Sequence, residues 1–130
     1  MFAAARAVGT AMREMHKIDG GYLQQHDVDF SASFILAGQL KTGQLRPFLI
    51  YDAGNSIEAM GDTIYFQIGE VKYGKPILNR IIQPGTSLKR AVKSALISFD
   101  STMRSNVSVG APIDLLVYRR DSMSPGHRQA

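Results

Sequence analysis

Between residues 88 and 103, Leu88, Ala91, Val92, Ala95, Leu96, Phe99 and Met103 recur at steps of three and four, which lines one face of a helix with apolar side chains. A face of that kind calls for a sheet to cover it. Thr86 or Ser87, directly after the breaker pair Pro84-Gly85, can cap the free amides of the first turn, and Arg104 in the last turn suits the negative end of the helix dipole. A short apolar strand follows over residues 113–118. Near the start, Ala5, Val8, Met12 and Met15 hold helical spacing over residues 2–18, while Arg6, Arg13, Glu14 and Lys17 fall on other faces. This first helix is predicted to end near Asp19-Gly20-Gly21. Its methionines read as core filling rather than as a soft partner-binding groove.

From residue 29 the period becomes two. Phe30, Ala32, Phe34 and Leu36 alternate with Ser31, Ser33 and Ile35 until Gly38 interrupts, which predicts a strand with one apolar face. Lys41-Thr42-Gly43 is a turn, and residues 44–51 return as the second strand of a hairpin, with Phe48-Leu49-Ile50-Tyr51 as its buried run. After the turn Asp52-Ala53-Gly54-Asn55 come two more short strands, at 56–59 and 63–68, so four consecutive antiparallel strands are expected. Gly69-Glu70 opens a second helix over 71–82, where Pro76 demands a kink or a restart near Lys75 because it removes a helical hydrogen bond. The order helix, four strands, two helices, strand predicts an α+β domain in which helices cover antiparallel sheets.

A chain of 130 residues holds one domain, with residues 118–130 expected to be a loosely ordered tail. The absence of cysteine excludes a disulfide framework and a thiolate nucleophile. His16, His26 and His127 stand far apart, with no second ligand at metal spacing, so no metal site is read. No phosphate loop or dinucleotide fingerprint is present, and no cofactor is expected. Met1-Phe2-Ala3-Ala4-Ala5-Arg6 carries a charge by its sixth residue, which suits neither a signal peptide nor a membrane span and makes the cytoplasm the expected location. The net charge of +4 is concentrated between residues 72 and 104, where Lys72, Lys75, Arg80, Lys89, Arg90, Lys93 and Arg104 face Asp100 alone. That stretch reads as the solvated face of two covering helices rather than as a nucleic-acid surface.

Residues 98–116, SFDSTMRSNVSVGAPIDLL, closely resemble the late helix, loop and strand of bacterial proteasome-type proteases of the Anbu, or ancestral β-subunit, family. Three further blocks agree in the family's order: Asp29-Phe30 through Gly38-Gln39-Leu40, then FLIYDAGN at 48–55, then QIGEVKYGKP at 67–76. The resemblance covers nearly the whole chain and implies the middle and later part of an N-terminal-nucleophile hydrolase, an αββα sandwich of two stacked antiparallel sheets between helix pairs. It also implies a homo-oligomer acting on peptide or unfolded protein substrates.

In that family the nucleophile is a threonine at the mature N-terminus, whose own α-amino group activates it with help from a lysine and an aspartate of early strands. Met1-Phe2 offers no such threonine, and the two early strands are expected to be missing. The pairs Gly9-Thr10 and Gly85-Thr86 read as helix positions rather than as self-cleavage sites. What the resemblance assigns here is the later wall of the site. Ser108 falls where the family's serine closes the loop behind the nucleophile. Ser105 stands where many proteasome subunits have an aspartate, and Glu70 where many have a serine after the glycine. Glu70 also suits an ordinary first-turn helix position. Asp100 and Asp114 are the other acidic candidates, with a plain reading for each: Asp100 pairs with Arg104 one turn on, and Asp114 faces out from its strand. The expected function is that of a threonine endopeptidase segment, and the alternative is a non-catalytic scaffold module that keeps the subunit-contact surfaces.

Overall fold

The computed structural model describes residues 1–28, 31–124 and 126, together with the backbone of 128 and 129. The architecture is α+β, with helices and a three-stranded antiparallel sheet. The chain forms two compact units, Met1–Met60 and Gly61–Ala130.

In the first unit α1 (Phe2–Gln25) lies against a sheet of order β1-β2-β3, built from β1 (Phe34–Gln39), β2 (Leu45–Ile50) and β3 (Ser56–Glu58). Strand alternation and helical spacing meet in a core of Ala5, Met12, Phe48 and Ile50, with Met1, Val8 and Leu36 packed around it. Burying Phe48 and Ile50 contributes about 1.5–3 kcal/mol each. The helix is seated by backbone contact. A side chain at Gly9 would collide with the carbonyl of Gly54, which stands at φ +76° in the turn after β2, and Arg13 Nη1 donates to that carbonyl at 2.7 Å. On the sheet's other face Ile35, Leu49 and Ile57 are in register across the three strands, with Ile35 and Ile57 exposed.

α1 does not stop at Asp19-Gly20-Gly21 but continues to Gln25. The glycine pair costs the helix about 1 kcal/mol per residue, which is too little to end it while hydrogen bonding continues on both sides. The stop is supplied by Asp27 at φ 52°, with its amide on the Gln24 carbonyl and the Val28 amide on the Leu23 carbonyl. That is a Schellman closure with aspartate where glycine is usual. β1 starts at Phe34, and Asp29 and Phe30 lie outside the described residues. The strand also runs through Gly38, which pairs with Arg46.

Arg46 on β2 grips Glu58 on β3 through two of its guanidinium nitrogens, Nε and Nη2, at 2.6 and 2.5 Å, and the same guanidinium sits 5.3 Å from the centre of the Phe48 ring. Hydrogen bonding from Arg46 holds the Glu58 carboxyl below the usual glutamate range.

The second unit contains α2 (Lys75–Ile81), α3 (Leu88–Ser105) and a two-stranded ladder of β4 (Leu115–Leu116) with β5 (Arg128–Gln129), so the tail returns as a strand. The helix expected over 71–82 restarts at Lys75, with Pro76 in its first turn where no amide partner is lost. The fourth strand is not formed: residues 63–68 run without a ladder partner among the described residues of their unit. Their Tyr65 hydroxyl instead donates to Asn79 Oδ1 of α2. A strand exists only through a partner for its amides and carbonyls, and apolar alternation alone does not supply one.

Ser87 caps α3 by accepting from the Arg90 amide. The buried residues of α3 are Ser94, Ser98 and Thr102, not the apolar set. These small side chains let the α2 segment approach closely, since a side chain at Gly74 would collide with Ser98 Oγ. Ser94 and Thr102 satisfy their hydroxyls on the carbonyls of Arg90 and Ser98, at 2.8 and 2.9 Å, so burial strands no donor. The apolar face lies alongside, with Leu88, Leu96 and Phe99 exposed by 42, 40 and 46 %. The sheet expected over it is not found among the described residues of this unit.

Two glycines of α1 are predicted to respond in opposite directions. Gly9→Ala overpacks the helix against Gly54 and lowers stability by about 1–3 kcal/mol. Gly21→Ala meets no atom within 4 Å and raises stability by about 0.5–1 kcal/mol. Urea denaturation of both variants checks the pair. Acid titration tests the Arg46–Glu58 grip. Because the Glu58 value is depressed in the fold, its contribution is complete above the ordinary glutamate value of about 4.3 and is lost as pH falls through the depressed one. The stability difference between the natural chain and Glu58→Gln is therefore constant near neutrality and closes in acid.

Candidate functional site

Two of the residues named from the sequence, Glu70 and Ser108, meet on one side chain that was not singled out there, Asn106. This residue ends α3: its amide donates to the Thr102 carbonyl at 2.8 Å, and its backbone turns extended. Its side chain then works in two directions. Nδ2 donates to Glu70 Oε2 at 3.0 Å, and Oδ1 accepts from the Ser108 amide at 2.8 Å. The second bond is the local turn that asparagine makes with the residue two positions on. An Asn-x-Ser stretch directly after a helix was the signal available for it in the sequence.

Glu70 is not in the first turn of a helix, because α2 begins only at Lys75. It follows Gly69, at φ +79°, and is half-buried. Its Oε1 accepts from the Lys72 amide at 2.8 Å, so both carboxylate oxygens are engaged. Structure thus brings Glu70 and Ser108 to the two ends of one carboxamide. Ser105 is exposed as the last residue of α3, and Asp100 is committed to Arg104 at 3.0–3.1 Å on the solvent side of the helix. Asp114 is exposed just before β4.

Both threonines of the Gly-Thr pairs have local roles. Thr10 lies inside α1 and accepts from Arg13 Nη2 at 3.2 Å. Thr86 Oγ1 accepts from the Gln83 amide at 2.9 Å and donates to the Ile81 carbonyl in the turn before α3.

In the first unit, His16 Nε2 meets Asp52 Oδ1 at 3.0 Å, and the same oxygen accepts from the Ala32 amide at 3.1 Å. The Ala32 amide first, then the imidazole, hold the Asp52 carboxyl below its usual range. The pair borders an open groove of about 470 Å³ walled by Gly20, Gly21, Ser31 and Val28, and it ties α1 to the turn after β2. The His26 ring packs tilted against Tyr22 with ring centres 4.6 Å apart, and His127 lies outside the described residues. Among the described residues no three His, Asp or Glu side chains gather into a group that could hold a metal ion.

Chemically, the Glu70–Asn106–Ser108 arrangement presents an exposed serine on a loop whose backbone is held by a neutral carboxamide that is itself bonded to a carboxylate. It offers hydrogen bonds and negative potential, but a serine hydroxyl without a base beside it is a poor nucleophile.

No protein-family model and no curated protein matches the sequence, whereas solved structures do. Anbu from Hyphomicrobium sp. strain MC1 is 49% identical with a TM-score of 0.87, over 99% of this chain and 51% of that one. Anbu (ancestral beta-subunit) from Yersinia bercovieri is 47% identical with a TM-score of 0.91, over 99% and 52%. The Anbu complex of Pseudomonas aeruginosa, a helical assembly, is 47% identical with a TM-score of 0.90, over 98% and 54%. Close to half of the residues are shared along almost the entire chain and its fold. The chain therefore belongs to the Anbu, or ancestral β-subunit, family and spans about half the length of the solved members that it matches.

Proposed function

We propose that this chain is the site-wall part of a proteasome-type threonine endopeptidase subunit, acting in the cytoplasm on peptides or unfolded protein. In this reading Ser108, Ser105 and Glu70 form the wall behind the nucleophile, and Asp100 belongs to its solvent-exposed flank. The observation that carries the reading is the meeting of Glu70 and Ser108 on Asn106. Two segments that the family resemblance assigns to one wall are far apart in sequence and share a side chain. In this reading the nucleophilic threonine, its lysine and its aspartate come from residues outside these 130, and the threonines of the two Gly-Thr pairs have local roles, Thr10 within a helix and Thr86 in a turn.

A second reading is a scaffold module that keeps the contact surfaces without catalysis. It is favoured by the apolar faces left uncovered in both units, around Ile35 and Ile57 in one and around Leu88, Leu96 and Phe99 in the other. Exposed apolar faces and unpaired strand edges favour association, and the helical assembly of the Pseudomonas aeruginosa relative supports homo-oligomers here. No helix among the described residues is long and apolar enough to cross a membrane.

Two outcomes are predicted. The purified chain self-associates at micromolar concentration, and light scattering that reports a clean monomer counts against this. The chain alone does not turn over fluorogenic peptides. Co-expression with the other half of a full-length Anbu relative restores turnover, which Ser108→Ala then lowers about tenfold, the effect of one lost hydrogen bond in the transition state. Turnover by the isolated chain that is abolished by Thr10→Ala overturns the reading. Reconstituted complexes that assemble but never turn over substrate favour the scaffold.

A further inference from the structure

We infer that Glu70 and Asn106 act together as positioning residues for Ser108, with the Glu70 carboxylate orienting the Asn106 carboxamide and the carboxamide in turn fixing the Ser108 backbone. The functional weight of this relay rests on the proposed role of Ser108 in the site wall. Its geometry stands independently of that role.

Only one orientation of the Asn106 carboxamide satisfies its surroundings. On one side stands a carboxylate, which only accepts, and on the other the Ser108 amide, which only donates. Turning the carboxamide over would set two acceptors together and two donors together. Without Glu70 the choice rests on the Ser108 amide alone, and Asn106 is freer to rotate about its side chain. With Glu70 present, the charge polarises the carboxamide and strengthens its oxygen as an acceptor for Ser108. The anchor is itself held, since Oε1 of Glu70 accepts from the Lys72 amide. The loop beyond Ser108 is tied to the same residue, because the Val109 amide donates to the Asn106 carbonyl at 3.1 Å. A serine at position 70 would be too short to bridge to Asn106, so the glutamate is what makes this coupling available.

Ser108 is exposed, so protection of its amide from hydrogen exchange reports the Asn106 bond rather than burial. The test is a reciprocal swap, read by hydrogen exchange at the Ser108 amide of the 130-residue chain, detected by mass spectrometry at submicromolar concentration. In Glu70→Gln the new carboxamide can accept from either Asn106 or Lys72 but must oppose the other donor. Asn106→Asp sets carboxylate against carboxylate, and although the new side chain can still accept from the Ser108 amide, repulsion from Glu70 swings it out of that bond. In the double variant the new carboxamide nitrogen donates to the new carboxylate and its oxygen still accepts from the Lys72 amide. The remaining carboxylate oxygen then accepts from Ser108, so every bond is restored with the charge moved across the pair.

The expected result is exchange at Ser108 about five- to tenfold faster in each single variant and returned to the natural rate in the double variant. Exchange of the α3 amides should be unchanged throughout, which shows that the fold is kept. Single variants that leave Ser108 exchange unaltered, or a double variant that fails to recover it, overturn the inference. Turnover in the reconstituted protein is read separately. A fall in kcat with KM unchanged in the single variants links the relay to catalysis. An exchange response without any turnover leaves the relay standing and counts against the peptidase reading alone.

Discussion

The structure depends on close approach of backbone to backbone at positions where a side chain is missing or very small. In the first unit Gly9 of α1 rests on the Gly54 carbonyl, and in the second Gly74 rests on Ser98 of α3. A contact of this kind leaves no room for a side chain between a helix and its support. It also decides which face is buried. Once α3 is seated through Ser94, Ser98 and Thr102, its leucines and Phe99 must point elsewhere. Likewise, once α1 takes the Phe48 and Ile50 side of the sheet, the Ile35–Leu49–Ile57 row is left for something else.

This arrangement explains what was legible in the sequence. Elements whose signals are local were read well. Ser87 caps α3 where the breaker pair announces it, Pro76 opens α2, and the hairpin of β1 and β2 follows its turn. Signals that depend on a partner were misread. The run at 63–68 has strand composition without a ladder, and the apolar stripe of α3 has helical spacing without a cover among the described residues of its unit. Periodicity reports which face is apolar. It does not report whether the molecule buries that face with its own residues or with others, and a chain spanning about half the length of its relatives is where these two questions part. The end of α1 was missed for another reason: glycines in a helix carry only a modest penalty, whereas an aspartate in the left-handed region is invisible until the closing hydrogen bonds are seen.

Glu70 and Ser108 were singled out through family blocks, but the side chain that joins them was not. Asn106 carries no charge, matches no catalytic motif and follows a helix where asparagine is commonplace. Its role follows from its capacity to donate at one end and accept at the other, and that matters only because Glu70 and the Ser108 amide arrive from opposite sides. Neither neighbour makes Asn106 important by itself. The sequence separates Glu70 from Asn106 by the whole of α2 and α3, so no local pattern could have paired them.

On the proposed reading, the two departures from the family pattern act in opposite directions on the charge of the wall. Ser105 removes a carboxylate that many proteasome subunits carry at this point, and Glu70 adds one where many carry a serine. The helix dipole makes the two locations unequal. Residue 105 closes α3, where the carbonyl ends already present negative potential and a further carboxylate is disfavoured. Glu70 lies outside any helix, with one oxygen on the Lys72 amide and the other on Asn106, so its charge is hydrogen-bonded on both sides. Moving the negative charge from the end of α3 to the turn after Gly69 therefore relieves the helix end, keeps a carboxylate at the wall, and couples it through Asn106 to the Ser108 backbone.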